Sequence, residues 1–178
     1  MMLFAHRLKN SAGAEIAEAA LVMPVVFVFL LGIIWFGRAF NIYSTIQQAA
    51  QQGAITAARP SCATCGNNFP APTTVTNAVE AIMKASNLDP GLIVAGSANP
   101  NLTYCPFPFP PPPSTGPCSQ APDHIWICNS VQLAGSTQPV PCGTLVTFQY
   151  PFQFYLPFTS LNLSQITLTA QAQSRMEY

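Results

Sequence analysis

Six cysteines, two histidines and two early glutamates are the residues whose chemistry could go beyond packing in this chain. Cys62, Cys65, Cys105, Cys118, Cys128 and Cys142 form an even set, which fits disulfide pairing in an oxidising compartment. Connectivity cannot be deduced from spacing. The expectation is at least two bridges, with Cys105–Cys118 closing the proline-rich stretch between them. A redox pair at Cys62-Ala-Thr-Cys65 would want that motif to open a helix after a strand, where the thiol pKa falls; here it follows a helical pattern and precedes a loop. A four-cysteine zinc site lacks its second Cys-x-x-Cys. Structural disulfides are therefore expected, with a redox or metal role at Cys62 and Cys65 as the alternative. His6 and His124 lie on opposite sides of a long apolar run, so the segment after that run has one histidine and no two-histidine metal site. Asp123-His124 is adjacent, but no serine sits in a nucleophile-elbow motif. The residues point to no catalytic group, no metal and no cofactor. Glu18 stands where the apolar run begins, and an unpaired carboxylate there is costly and marks function. The simpler role is to help start the helix. Glu15 is a competing carboxylate.

The apolar run itself, residues 19–36, carries no charge and is just long enough to cross hydrocarbon, which takes roughly 20 helical residues. Inside lipid a lone span must be helical so that every backbone amide is bonded within it. Pro24, near its start, removes one hydrogen bond and bends the helix slightly. The run is longer than a signal-peptide core, and bulky Trp35-Phe36-Gly37-Arg38 follows in place of a small-residue cleavage site, so the span is expected to stay. Arg7 and Lys9 before it oppose Arg38 after it, a small bias. All six cysteines come after the span, which favours an N-terminus inside and a C-terminal domain outside. Charged residues are only 7% of the chain and the formal net charge is zero. That composition excludes a nucleic-acid partner, which needs a basic face, and is unlike a soluble enzyme surface.

The helical pattern continues past the span. Residues 38–59 contain no proline and one glycine, Gly53. Phe36, Phe40, Tyr43, Ile46, Ala50, Gly53 or Ala54, and Ala57 recur at three- and four-residue steps, one apolar stripe on a helix. Pro60 stops it. The result is one helix of about 45 residues, roughly 70 Å long, whose small-residue half packs under the C-terminal domain. Residues 73–86 form a second helix with Val75, Val79, Ile82 and Met83 on one face, followed by a turn at Asp89-Pro-Gly91. Residues 92–95, 125–131, 143–152 and 165–172 have strand character. In the last two, Val146, Phe148 and Tyr150 alternate with Leu145, Thr147 and Gln149, and Ile166, Leu168 and Ala170 with Thr167, Thr169 and Gln171. That pattern predicts a sheet with one buried and one wet face. The fold class is α+β, a long helix on a small antiparallel sheet of about three or four strands. The organisation is a leader or cytoplasmic segment at 1–13, the long helix at 14–59 (transmembrane at about 19–37), and a cysteine- and proline-rich domain at 60–178. Residues 106–117, nearly all proline and phenylalanine, form a stiff surface loop or a ligand for an aromatic groove.

Gly13-Ala-Glu-Ile-Ala-Glu18, then Ala-Ala-Leu-Val-Met-Pro24, Leu31-Gly-Ile-Ile-Trp-Phe-Gly-Arg-Ala-Phe40 and Gln47-Gln-Ala-Ala-Gln-Gln-Gly-Ala-Ile-Thr-Ala-Ala58 resemble the N-terminal signature of TadE/TadG-like pseudopilins of tight-adherence (Tad/Flp) pilus systems. Residues 166–177 are similar to the strand that closes many members. Ala19 and Trp35 depart from the family, which commonly has an aromatic and an acidic residue there. The resemblance implies a pilin-like fold and a structural role in assembling or initiating a pilus. It implies a prepilin peptidase cutting between Gly13 and Ala14, and Glu18 in assembly as the fifth residue of the product. It further implies an inner-membrane secretion platform, other pilin-like subunits and membrane lipid as partners. A major subunit of an extracellular filament is the alternative.

Overall fold

Beyond the apolar run the sequence changes from large side chains to alanine and glycine, and the fold changes with it. The structure is a computed structural model that describes residues 11–59, 69–96, 102–105, 118–133, 141–153 and 165–176. One helix, α1 (Ser11–Ala58), takes up 48 residues with Pro24 inside it. The chain forms two compact units, residues 1–40 and 41–178.

In the first unit α1 carries no charged side chain between Ala19 and Gly37. Leu21, Phe29, Ile33 and Phe40 are each about 70% exposed, and Phe36 is more so. Among the described residues no side chain covers them, as suits a helix whose solvent is hydrocarbon. Among the described residues this is the one helix long and apolar enough to cross a membrane, with a mean hydropathy of 2.7 over its 18-residue window.

The second unit begins on the same helix at Asn41. Thr45, Ile46, Ala49, Ala50, Gly53, Ala54, Ala57 and Ala58 are buried at helical spacing. The buried stripe thus begins at Thr45. Phe36, Phe40 and Tyr43, expected to share it, are exposed. Phe36 and Phe40 belong to the first unit, outside the folded domain, and the stripe itself is mostly alanine and glycine, which let the sheet lie close to the helix. At Gly53 an added Cβ would stand 2.7 Å from Val79 Cγ2 and 3.4 Å from Val146 Cγ1, so this glycine is where α1, the second helix and the sheet meet.

The second helix, α2 (Pro72–Ala85), has proline in its first turn, where the missing N–H costs nothing. It buries Val75, Val79 and Met83, with Ile82 half-buried at the edge of the core. Leu88 N–H closes on Met83 O, and Asn87 takes the left-handed conformation that ends the helix (φ 57°). Asp89 then accepts a hydrogen bond from Gly91 N–H at 2.9 Å and starts a short 3₁₀ turn, Pro90–Leu92. Residues 92–95 do not form the expected strand; only Val94 makes a bridge, to Gln149. Pro90 and the Asp89 turn use up the residues a strand would need.

Four strands follow: β1 (Cys118–Gln120), β2 (Trp126–Gln132), β3 (Cys142–Phe152) and β4 (Ile166–Arg175), in the order β1-β2-β3-β4 and all antiparallel. The alternation read in the sequence sets the faces. Val146, Phe148, Tyr150 and Ala170 join Ile46, Ala50, Ala57, Val75, Val79 and Met83 in one core, with Leu168 packed against it. The other face is not fully wet. Leu145 and Thr147 are buried there too, because Leu102, Cys118, Cys128 and Val131 form a smaller cluster around Leu145. The expected single buried face holds for β4, whose odd-numbered residues are exposed, but not for central β3.

Candidate functional site

Two regions carry the residues singled out in the sequence: the start of α1 and the stapled edge of the sheet. Gly13, Ala14, Glu15 and Glu18 all lie in the first two turns of α1. Gly13, Glu15 and Glu18 are exposed. Ala14 and Glu18 are four residues apart, about one helical turn.

At the sheet, Cys105 bonds to Cys142 and Cys118 to Cys128. The expected Cys105–Cys118 bridge is not formed, for a reason that lies in strand pairing. Ala121 N–H bonds to Ile125 O, so in the β1–β2 hairpin Cys118 and Cys128 oppose each other as a non-hydrogen-bonded pair, the pairing that brings facing Cα atoms closest. They stand 3.9 Å apart. Cys105 N–H bonds to Ser130 O, and Tyr104 bridges Val131, which sets Cys105 beside the start of β3, where Cys142 waits 6.2 Å away. Four of the six cysteines are thus paired. A four-cysteine zinc site is thereby removed, since only Cys62 and Cys65 are left. Those two, like the proline-rich residues 106–117, lie outside the described residues. Among the described residues no group of three or more His, Cys, Asp or Glu could hold a metal.

The two bridges are nested, spanning 37 and 10 residues. In the chain-entropy picture they stabilise by about 4 and about 3 kcal/mol, with the sum smaller because one loop lies inside the other. Two results are expected. Peptide mapping without reduction recovers 105–142 and 118–128 linkages, and reduction shifts the denaturant midpoint down, more when Cys105–Cys142 opens. Recovery of a 105–118 linkage would overturn the assignment.

Asp123 and His124 sit in the β1–β2 turn, with His124 exposed and in the left-handed conformation (φ 61°). Its N–H bonds to Ala121 O, which is a turn role. Tyr150 lies at the margin of the core. Burial pushes its hydroxyl above the usual tyrosine value, and the nearby Asp89 carboxylate adds to this, while a hydrogen bond with the Asp89 backbone opposes both. Trp126 indole N–H donates to Gly96 O and ties the segment before β1 to the sheet. These are structural contacts among the described residues.

No curated protein and no solved structure matches the chain. Residues 13–54 match the family model described as TadE-like protein. That segment runs from the glycine of the proposed cleavage site, through the apolar span, into the buried stripe that ends at Ala58. Over its N-terminal helix, therefore, this chain is similar to TadE-like proteins of Tad pilus systems.

Proposed function

We propose that this protein is a membrane-anchored, non-enzymatic, pseudopilin-like subunit that takes part in assembly or initiation of a Tad/Flp-type pilus. The observation that carries this reading is the TadE-like match at residues 13–54, lying on a helix that is free of charge from Ala19 to Gly37 and small-residue-rich beyond Asn41. The N-terminus is cytoplasmic, α1 crosses the inner membrane once, and the α+β domain folds in the periplasm or at the cell surface. Two disulfides in that domain support the orientation, since such bonds persist on the oxidising side of the membrane. The partners are a prepilin peptidase, the inner-membrane secretion platform and other pilin-like subunits.

Cleavage between Gly13 and Ala14 creates an amine at the head of the helix. Glu18 of a neighbouring subunit is its partner. In low dielectric this pair favours one stagger between subunits and disfavours others, a contribution to register more than to stability. Mature protein from native membranes is expected to begin at Ala14 on N-terminal sequencing; an N-terminus at Met1 ends the cleavage claim. Glu18→Ala is expected to insert into the membrane normally but to assemble poorly. Unimpaired assembly would leave Glu18 as a helix-starting residue.

A further inference from the structure

β4 closes one side of the sheet, and its far edge is open among the described residues. Which backbone groups face outward follows from three hydrogen bonds. Val94 N–H takes the Gln149 carbonyl, so Gln149 faces away from β4. Its register partner Thr169 must then face away from β3. Gln47 Nε2, reaching down from α1, indeed donates to Thr169 O at 3.3 Å. By the same alternation Thr167, Gln171, Gln173 and Arg175 also turn their N–H and C=O groups outward. At the end of the strand, Met176 N–H bonds to Cys142 O, as the even-numbered positions require.

Native edges of this length are usually blunted by lysine, proline or a bulge. β4 has none of these: it pairs with β3 over ten residues without a register shift, and Arg175 is its one charge. Arg175 forms no ion pair among the described residues. On the helix side the edge carries exposed Ile166 and half-buried Leu168, and α1 reaches it through Gln47. On the other side stand the exposed side chains of Thr167, Thr169, Gln171 and Gln173.

The geometry points to β4 as a docking edge for an extended, proline-free segment of another protein chain. Its residues alternate apolar on the side of Ile166 and Leu168 and polar toward solvent, with a carboxylate beside Arg175. The edge itself argues against a second copy as the occupant. Self-pairing of β4 needs a two-fold axis normal to the sheet, which reverses the α1 stretch lying on that sheet. Two such copies could not both lead into one membrane, an exclusion that rests on the anchor reading above. A copy in the same orientation would offer only β1, which has three residues against five outward-facing positions. The Gln47 carboxamide, already on the Thr169 carbonyl, holds the place of one incoming N–H and is displaced on docking.

The probe is a dye-labelled synthetic heptapeptide, acetyl-Glu-Val-Thr-Val-Thr-Val-Thr amide, titrated by fluorescence anisotropy against the full chain in detergent micelles. Saturable binding is expected. Gln171→Pro removes one outward N–H and none of the β3 ladder bonds, and should weaken binding about tenfold. A peptide with its central valine replaced by proline should lose as much against the unaltered protein, which removes folding of the variant as an explanation. Gln171→Ala should bind like wild type, and Gln47→Ala should bind more tightly because the Thr169 carbonyl is free. Absence of saturable binding, or wild-type affinity in either proline control, overturns the proposal. So does a wild-type dimer that Gln171→Pro makes monomeric, which would give the edge to a second copy. None of these readouts depends on cleavage at Gly13.

Discussion

Gly143→Ala should unfold the protein at markedly lower denaturant, although the change adds a single methyl group. A Cβ at Gly143 would run into the backbone carbonyl oxygen of Ser174 in β4 and meet Leu133 Cδ2 at 2.5 Å. Leu133 can move its side-chain tip, but the Ser174 carbonyl is fixed in the β3–β4 ladder, where Gly143 pairs with Arg175 and Thr144 with Ser174. Relief therefore requires separating strands next to Cys142, the anchor of the longer disulfide. Overpacking of this kind costs about 1–3 kcal/mol, and a rigid backbone obstacle belongs at the upper end. Urea titration followed by Trp126 fluorescence is the measurement. An unchanged midpoint would mean that the β3–β4 rung is looser than described.

The second large effect is expected at Ala50. This residue is fully buried in the core shared by α1, α2 and the sheet. Ala50→Glu places a carboxylate there with no cationic partner, at a cost of roughly several kcal/mol, comparable to the total stability of a small domain. The variant should reach the membrane through α1 yet leave its C-terminal domain unfolded, visible as rapid proteolysis in native membranes. Ala50→Ser, nearly the same size, separates size from charge and should be much milder. Normal protease resistance in Ala50→Glu would contradict the packing of α1 on the sheet.

Much of this arrangement was legible in the residue pattern because the pattern and the packing share a period. Alternation fixed which faces of β3 and β4 meet the helix, and the alanine-rich positions at three- and four-residue steps marked the stripe on α1. Most of the misreadings share another cause, contacts between segments far apart in sequence. Phe36 and Phe40 have the right spacing for the stripe but fall outside the folded domain. Leu92-Ile-Val-Ala95 has strand composition, yet the Asp89 turn and a single bridge to Gln149 decide its course. The disulfide partners were hidden for the same reason. Cys105 and Cys118 look paired across the proline-rich stretch, but Tyr104 docks on Val131 and β1 on β2, and these separate pairings send the two thiols to different mates. β1 itself, three residues long, is too short to show a period. The glutamate and glycine at the start of α1 became interpretable through family resemblance, since spacing alone gives Glu18 both an assembly role and a helix-starting role.

The nesting of Cys118–Cys128 within Cys105–Cys142 also governs how the domain answers a mechanical load. A subunit pulled between its N-terminal helix and its C-terminal end can lengthen only through chain that no crosslink bypasses. The 37-residue separation between Cys105 and Cys142 is short-circuited by a bond that holds their Cα atoms 6.2 Å apart. Roughly 120–130 Å of contour length is thereby withheld from extension, even if every hydrogen bond in the sheet is broken. Residues 106–117, β1 and β2 fall within that stretch of sequence, so none of them adds to the length of a taut chain. β4 lies outside that stretch, joined to the rest of the sheet by hydrogen bonds and side-chain packing alone, and is the first strand that a pull on the C-terminus would peel away.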